Sequence, residues 1–174
     1  MTSCAIPRPA ADEFTPYYGK YIAKVPDGDL CRILTDQLAD TLVLIRSMPE
    51  ARGTHRYAPG KLSIKEVLGH VCDSERIFSY RALRIARGDA TPLPGFEQDD
   101  YVVAGHFESR TLKDLAAEFS HLRQANLLLF GSLDEAALLR KGQASGADIT
   151  VRSLVYLIAG HERHHIRVLQ ERYL

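Results

Sequence analysis

Gly160-His161-Glu162-Arg163-His164-His165 follows an apolar run that begins at Val151, and it sets two imidazoles four residues apart. On an α-helix, at ~100° per residue, His165 falls ~40° from His161 one turn along the same face, and His164 lies at the edge near ~−60°. Val151, Leu154, Leu157, Ile158, Val168 and Leu169 project to that same side, whereas Arg152, Arg163, Arg167 and Gln170 project to the opposite one. The periodicity predicts a helix over 150–173 with two histidines pointing into a core. Two readings compete for such a pair. One is two core histidines satisfied by hydrogen bonds. The other is a metal site, because adjacent neutral imidazoles leave lone pairs that a single divalent ion satisfies together.

A third ligand comes best from Ser63-Ile64-Lys65-Glu66-Val67-Leu68-Gly69-His70-Val71-Cys72-Asp73-Ser74-Glu75-Arg76. Ser63 with Glu66 three residues on is a capping box, so a helix is expected over 63–87. Ile64, Val67, Val71, Ile77, Phe78 and Ile85 centre near ~65° on its wheel, and His70 flanks that stripe beside Ser74 and Arg81. Asp73 shares part of the His70 face and is a candidate to ligate or to orient the ligands, against the commoner solvated-edge carboxylate. Glu162, ~100° from His161, is the other candidate for orienting the ligands, against an exposed helix carboxylate. Arg81 is a candidate receptor for an anionic substrate group such as a thiol's carboxylate, against a structural ion pair. The remaining histidines are weaker: His121 sits ~140° from the apolar centre of its helix, and His55 and His106 fall in segments without clear periodicity. Cys72 projects ~200° from His70, away from any shared ion.

With 174 residues and 45% hydrophobic content, the chain is expected to form one domain, 1–174, large enough to bury its own core. The 22 basic and 22 acidic residues leave no electrostatic footprint for nucleic acid, and no apolar run is long enough to span a membrane. No signal peptide is expected. Cys4, Cys31 and Cys72 are odd in number and suit neither a disulfide framework nor a Cys-x-x-Cys site, which points to a reducing cytoplasm.

Four long helical patterns cover 29–48, 63–87, 111–130 and 150–173, with Asp29 and the Thr111/Asp114 pair as caps. The connection over 88–110 is long enough for a crossover and is expected to hold a short helix over 97–104; 133–139 is expected to add a helical turn or two before a 142–146 loop. Nothing reads as a strand. Residues 1–28, with Pro16-Tyr17-Tyr18 and Tyr21, are aromatic enough to pack along the bundle.

The sequence resembles the DinB-like (DinB/YfiT-like) superfamily of small metalloproteins over nearly its whole length. The resemblance rests on Tyr17-Tyr18-Gly19-Lys20-Tyr21-Ile22, Val25-Pro26-Asp27-Gly28-Asp29, Ala58-Pro59-Gly60-Lys61-Leu62-Ser63-Ile64-Lys65-Glu66, Gly69-His70, Asp73-Ser74-Glu75-Arg76, Arg81-Ala82-Leu83, Leu93-Pro94-Gly95-Phe96 and the histidine hexapeptide. It implies an all-α four-helix bundle of up-down-down-up topology, with a long crossover between the second and third helices. It also implies a divalent metal, Zn or Ni, on the positions of His70, His161 and His165. One departure is Leu62, where the family usually carries Trp; this chain has no Trp. Relatives are described as metal-dependent hydrolases or as enzymes using low-molecular-weight thiols. The expectation is therefore a metal-dependent thiol transferase or hydrolase, with a non-catalytic metal-binding or stress-response protein as the alternative. The expected partners are a small molecule, a thiol among the candidates, and a second copy of the chain in a homodimer.

Overall fold

The computed structural model describes residues 6–174. In chain order the helices are α1 (Pro16–Ile22), α2 (Leu30–Ser47), α3 (Ile64–Ala86), α4 (Gln98–Gly105), α5 (Leu112–Gly131), α6 (Glu135–Leu139) and α7 (Val151–Val168), and strands β1 (Lys141–Ala144) and β2 (Ala147–Thr150) lie between α6 and α7. A π-helical turn, Leu169–Tyr173, continues α7.

Side-chain acceptors set the helix starts by taking up free N–H groups of the first turn. Asp29 Oδ1 accepts from Arg32 N at 3.1 Å and Thr111 Oγ1 from Asp114 N at 3.0 Å. At α3 the expected capping box is complete: Glu66 Oε2 accepts from Ser63 N at 2.7 Å and Ser63 Oγ from Glu66 N at 3.3 Å. Leu62, just before it, packs on the neighbouring core, and its carbonyl accepts the Tyr173 hydroxyl at 2.6 Å.

The bundle consists of α2, α3, α5 and α7. Helix α3 packs on α7 and α5, and α2 packs on α5 and α7, so α2 and α3, consecutive in the chain, face each other across the core. The connection from α3 to α5 carries α4, which packs back on α3. Apolar clusters fill both ends. One gathers Leu30, Leu34, Phe78, Ile85, Phe130, Leu154 and Leu157; the other gathers Ile45, Ile64, Val67, Leu115 and Leu169. Between them each helix contributes buried polar groups: Gln37 and Thr41 from α2, His70, Ser74 and Glu75 from α3, Arg123 and Asn126 from α5, and His161 and Glu162 from α7. The bundle thus has a polar middle layer between two apolar ends.

Helix α1 lies on α7. A Cβ at Gly160 would fall 2.1 Å from the Tyr21 carbonyl oxygen, so only glycine permits this approach, and it places Tyr21 beside His161. Residues 1–5 of the expected packed N-terminal segment lie outside the described residues.

Two expectations are corrected. Residues 141–150, where a loop over 142–146 and no strand are expected, form an antiparallel hairpin pairing Lys141 with Thr150, Gly142 with Ile149, Gln143 with Asp148 and Ala144 with Ala147. Its turn is Ser145-Gly146, both left-handed at φ 53° and 77°, as a tight two-residue hairpin turn requires. Leu93 of the crossover joins it, donating to Gln143 O at 2.9 Å and accepting from Ser145 N at 3.0 Å. Strands this short, with little apolar alternation, carry no periodic signal; only the Ser-Gly turn pair marked them. The second correction concerns cysteine. Cys31 is disulfide-bonded, Cys72 is a buried free thiol, and Cys4 lies outside the described residues. Sequence spacing does not report which thiols meet in space, so the cysteine count carries no argument for a reducing compartment. Among the described residues, no helix is long and apolar enough to cross a membrane.

Candidate metal centre

Helices α3 and α7 carry three imidazoles of the middle layer to one point. His70 Nε2 and His165 Nε2 each stand 3.1 Å from His161 Nε2, and one nitrogen from each ring lies within 4.8 Å of the others. His70 and His161 are buried and His165 half-buried. A neutral imidazole nitrogen offers either one hydrogen or one lone pair, so His161 Nε2 cannot make a full hydrogen bond to both neighbours. A cation at the centre would satisfy all three lone pairs. With metal–nitrogen bonds near 2 Å, tetrahedral coordination puts ligand nitrogens about 3.3 Å apart, close to the spacing of the two pairs that include His161. The residues fit a divalent ion. Ser74 Oγ stands 3.5 Å from His70 Nδ1, where it can take that nitrogen's hydrogen and leave Nε2 free to ligate.

Burial keeps these rings neutral. It holds His70 down to about 4, and holds His165, with a further push from the neighbouring His70, down to about 3, both from an ordinary 6.5; His161 lies well below that value for the same reason. In the metal-free protein the unfolded chain therefore binds protons that the folded chain refuses, and stability rises with pH through the interval. The contribution is fully present above 6.5 and is lost as pH falls toward about 4. From pH 6.5 to 4.5, a single such ring removes about 2 kcal/mol. Metal-free protein should accordingly begin to lose melting temperature near pH 6, above the range in which the Arg152-paired Glu13 carboxylate, lowered to about 2, starts to protonate. Circular dichroism melts that stay level between pH 7 and 5 would contradict this.

The other candidates are placed differently. Asp73 is half-buried, 3.8 Å from Arg76, and burial raises its carboxyl. Glu162 turns away from the imidazoles into the other half of the middle layer, where it accepts from Thr41 Oγ1 at 2.8 Å and Gln37 Nε2 at 2.9 Å and pairs with Arg123 at 2.8 Å. Arg123 also donates to both Glu75 oxygens at 2.7 Å, and Asn126 to one of them at 3.0 Å. Sequence reasoning missed this network, although Arg123 follows Phe119 by four residues on the buried face of α5. Arg81 is buried and donates to Pro94 O at 2.7 Å and Ser145 Oγ at 3.0 Å. His164 stacks against His165 and Tyr21 but does not join the three-nitrogen group.

A cavity of about 440 Å³ opens onto His70 and His161, walled by Tyr17, Tyr18, Tyr21, Phe78 and Phe96, with Glu97 as a carboxylate on its lining. Larger grooves of about 510 and 530 Å³ lie against α2, away from the imidazoles, so size does not decide which one matters. The arrangement is an aromatic-walled chamber ending at neutral nitrogen donors.

A sequence model of the DinB superfamily matches residues 33–169. No curated protein matches the chain. Among solved structures, YfiT from Bacillus subtilis, described as a probable metal-dependent hydrolase with an unusual four-helix bundle topology, is similar with a TM-score of 0.75 at 16% identity, over 95% of this chain and 90% of that one. A mycothiol-dependent maleylpyruvate isomerase is similar with a TM-score of 0.63 at 13% identity, over 86% of this chain and 59% of that one. At these identities the likeness is one of fold.

Proposed function

Since the chain belongs to the DinB superfamily, we propose that it is a metal-dependent enzyme in which His70, His161 and His165 hold a divalent ion, Zn²⁺ or Ni²⁺. The observation that carries this reading is the donor set: three neutral imidazoles, with no carboxylate of the described residues joining them, two of which, His70 and His161, line a cavity. Such a set leaves the ion its full charge and an exchangeable position, whereas closed structural sites use a fourth protein ligand. The ion would supply a lowered pKa to a bound water or small thiol, giving a nucleophile at neutral pH. Tyr21 and Phe78, with rings 5.3 and 5.8 Å from His161, exclude bulk water from the ligands. Glu97 is the carboxylate on the chamber lining that would act as a base there, since Arg123 engages Glu162 and Asp73 leans on Arg76. The reaction class is thiol S-transfer or hydrolysis of a small molecule.

Cobalt substitution tests this. Adding 2-mercaptoethanol to Co²⁺-loaded protein, in a background carrying Cys4→Ala, Cys31→Ala and Cys72→Ala so that no protein thiol can ligate, should produce a near-ultraviolet sulfur-to-cobalt band, and His165→Ala should abolish it. Chelation should lower the melting temperature, since saturating metal at 100 to 1,000 times its dissociation constant stabilises the fold by roughly 3–4 kcal/mol. A cobalt spectrum indifferent to thiol, azide and hydroxamate would show a closed coordination sphere and a structural metal.

A further inference from the structure

Arg81 and Arg123 are the two arginines buried almost completely among the described residues, at 2% and 0% exposure, and they are compensated unequally. Arg123 has two carboxylates, Glu75 and Glu162. Arg81 has none. Its Nη2 donates to the Pro94 carbonyl and the Ser145 hydroxyl, and no other polar partner of Nε or Nη1 exists among the described residues. Its guanidinium lies 6.0 Å from the Phe78 ring centre and 5.9 Å from that of Phe96, contacts that only partly offset the burial of an unpaired cation.

Arg81 also lines a pocket of about 320 Å³ with Arg76, Tyr80, Phe96 and Tyr101. This pocket is separate from the histidine chamber but shares Gly95 and Phe96 with it as a common wall. Arg76 brings no free charge, being paired with Glu118 and with Asp73. The pocket therefore combines one uncompensated, immobile guanidinium with aromatic walls, Phe96 and Tyr101 lying 5.2 Å apart between ring centres.

We propose that this pocket is a second small-molecule site, anchored by Arg81, that binds an aromatic carboxylate. The Nε–H and Nη1–H groups of Arg81 are left to donate to a carboxylate, a single positive charge matches a monoanion better than a phosphate dianion, and Tyr80, Phe96 and Tyr101 line the space for the remainder of the ligand. The volume suits a one-ring compound. The site needs no metal, so it stands or falls apart from the reading of the histidines.

Calorimetric titration of the metal-free full chain with benzoate, and with benzamide as its neutral counterpart, tests the assignment. Benzoate should bind at one site at least about tenfold more tightly than benzamide, and inorganic phosphate should not displace it. Arg81→Gln should abolish the difference, and Arg81→Lys should weaken benzoate while keeping some preference for charge. Should the Arg81 variants not fold, Tyr101→Ala, at a half-exposed position, carries the test by weakening benzoate at least about threefold. Four results would overturn the site: no benzoate binding at roughly 10 mM, equal binding of benzamide, displacement by phosphate, or binding that requires added metal.

Discussion

Replacing His161 by alanine is expected to reduce bound divalent metal from about one equivalent per chain to a small fraction of that, because its Nε2 is the nitrogen both other rings face. His70→Ala and His165→Ala should each lose most of the metal as well, since two imidazoles cannot hold an ion against competing water and buffer. His164→Ala and His121→Ala should keep full stoichiometry: the first lies outside the three-nitrogen group and the second is exposed. Elemental analysis of protein purified without a polyhistidine tag reads the result. A His161→Ala protein with its full metal, or a His164→Ala protein without it, would sink the ligand assignment.

The largest effect on stability is expected at Arg123, outside the three-imidazole group. Its side chain is wholly buried and serves two carboxylates that are each 2% exposed. Arg123→Ala removes the only cation and leaves both carboxylates stranded, a loss of about 3–5 kcal/mol, or on the order of 10 °C in melting temperature for a chain of this size. Neutralising the stranded acids as well, in Arg123→Met with Glu75→Gln and Glu162→Gln, should recover much of it, because the cost lies in the unpaired charge. Denaturant melts of the two variants compare them directly. An Arg123→Ala protein within about 1 kcal/mol of the parent would mean that water reaches the network.

Much of the architecture can be read from local signals. The capping box at Ser63 and Glu66, the Asp29 and Thr111 caps and the 3.6-residue periodicity place the starts of the four long helices and the ends of the first three within a residue or two, whereas the α-helical form of the fourth stops at Val168 and goes on to Tyr173 as a π turn. The i, i+4 spacing of His161 and His165 and the flank position of His70 name three residues that the fold brings together. A helical wheel, however, sorts residues into inside and outside and gives an inward charge no destination. Glu162 reads as an edge residue for that reason, and nothing in the sequence points to its partner Arg123, which also holds Glu75: the pairing exists only once α5 and α7 flank the same layer. The hairpin escaped for lack of any periodic stretch, and the Cys31 disulfide because chain separation is not distance.

The histidine cluster joins residues 91 positions apart in sequence with residues four apart. In an unfolded chain the near pair can meet by local fluctuation, but recruiting the third ring means closing a loop of that length, an entropic cost of about 5 kcal/mol. Folding meets that cost in advance by packing α3 on α7. Tight binding of an ion by all three rings would therefore report tertiary contact between these two helices, and any motion that parts them would release it. The exchange rate of the metal would then measure how often the bundle opens along that seam.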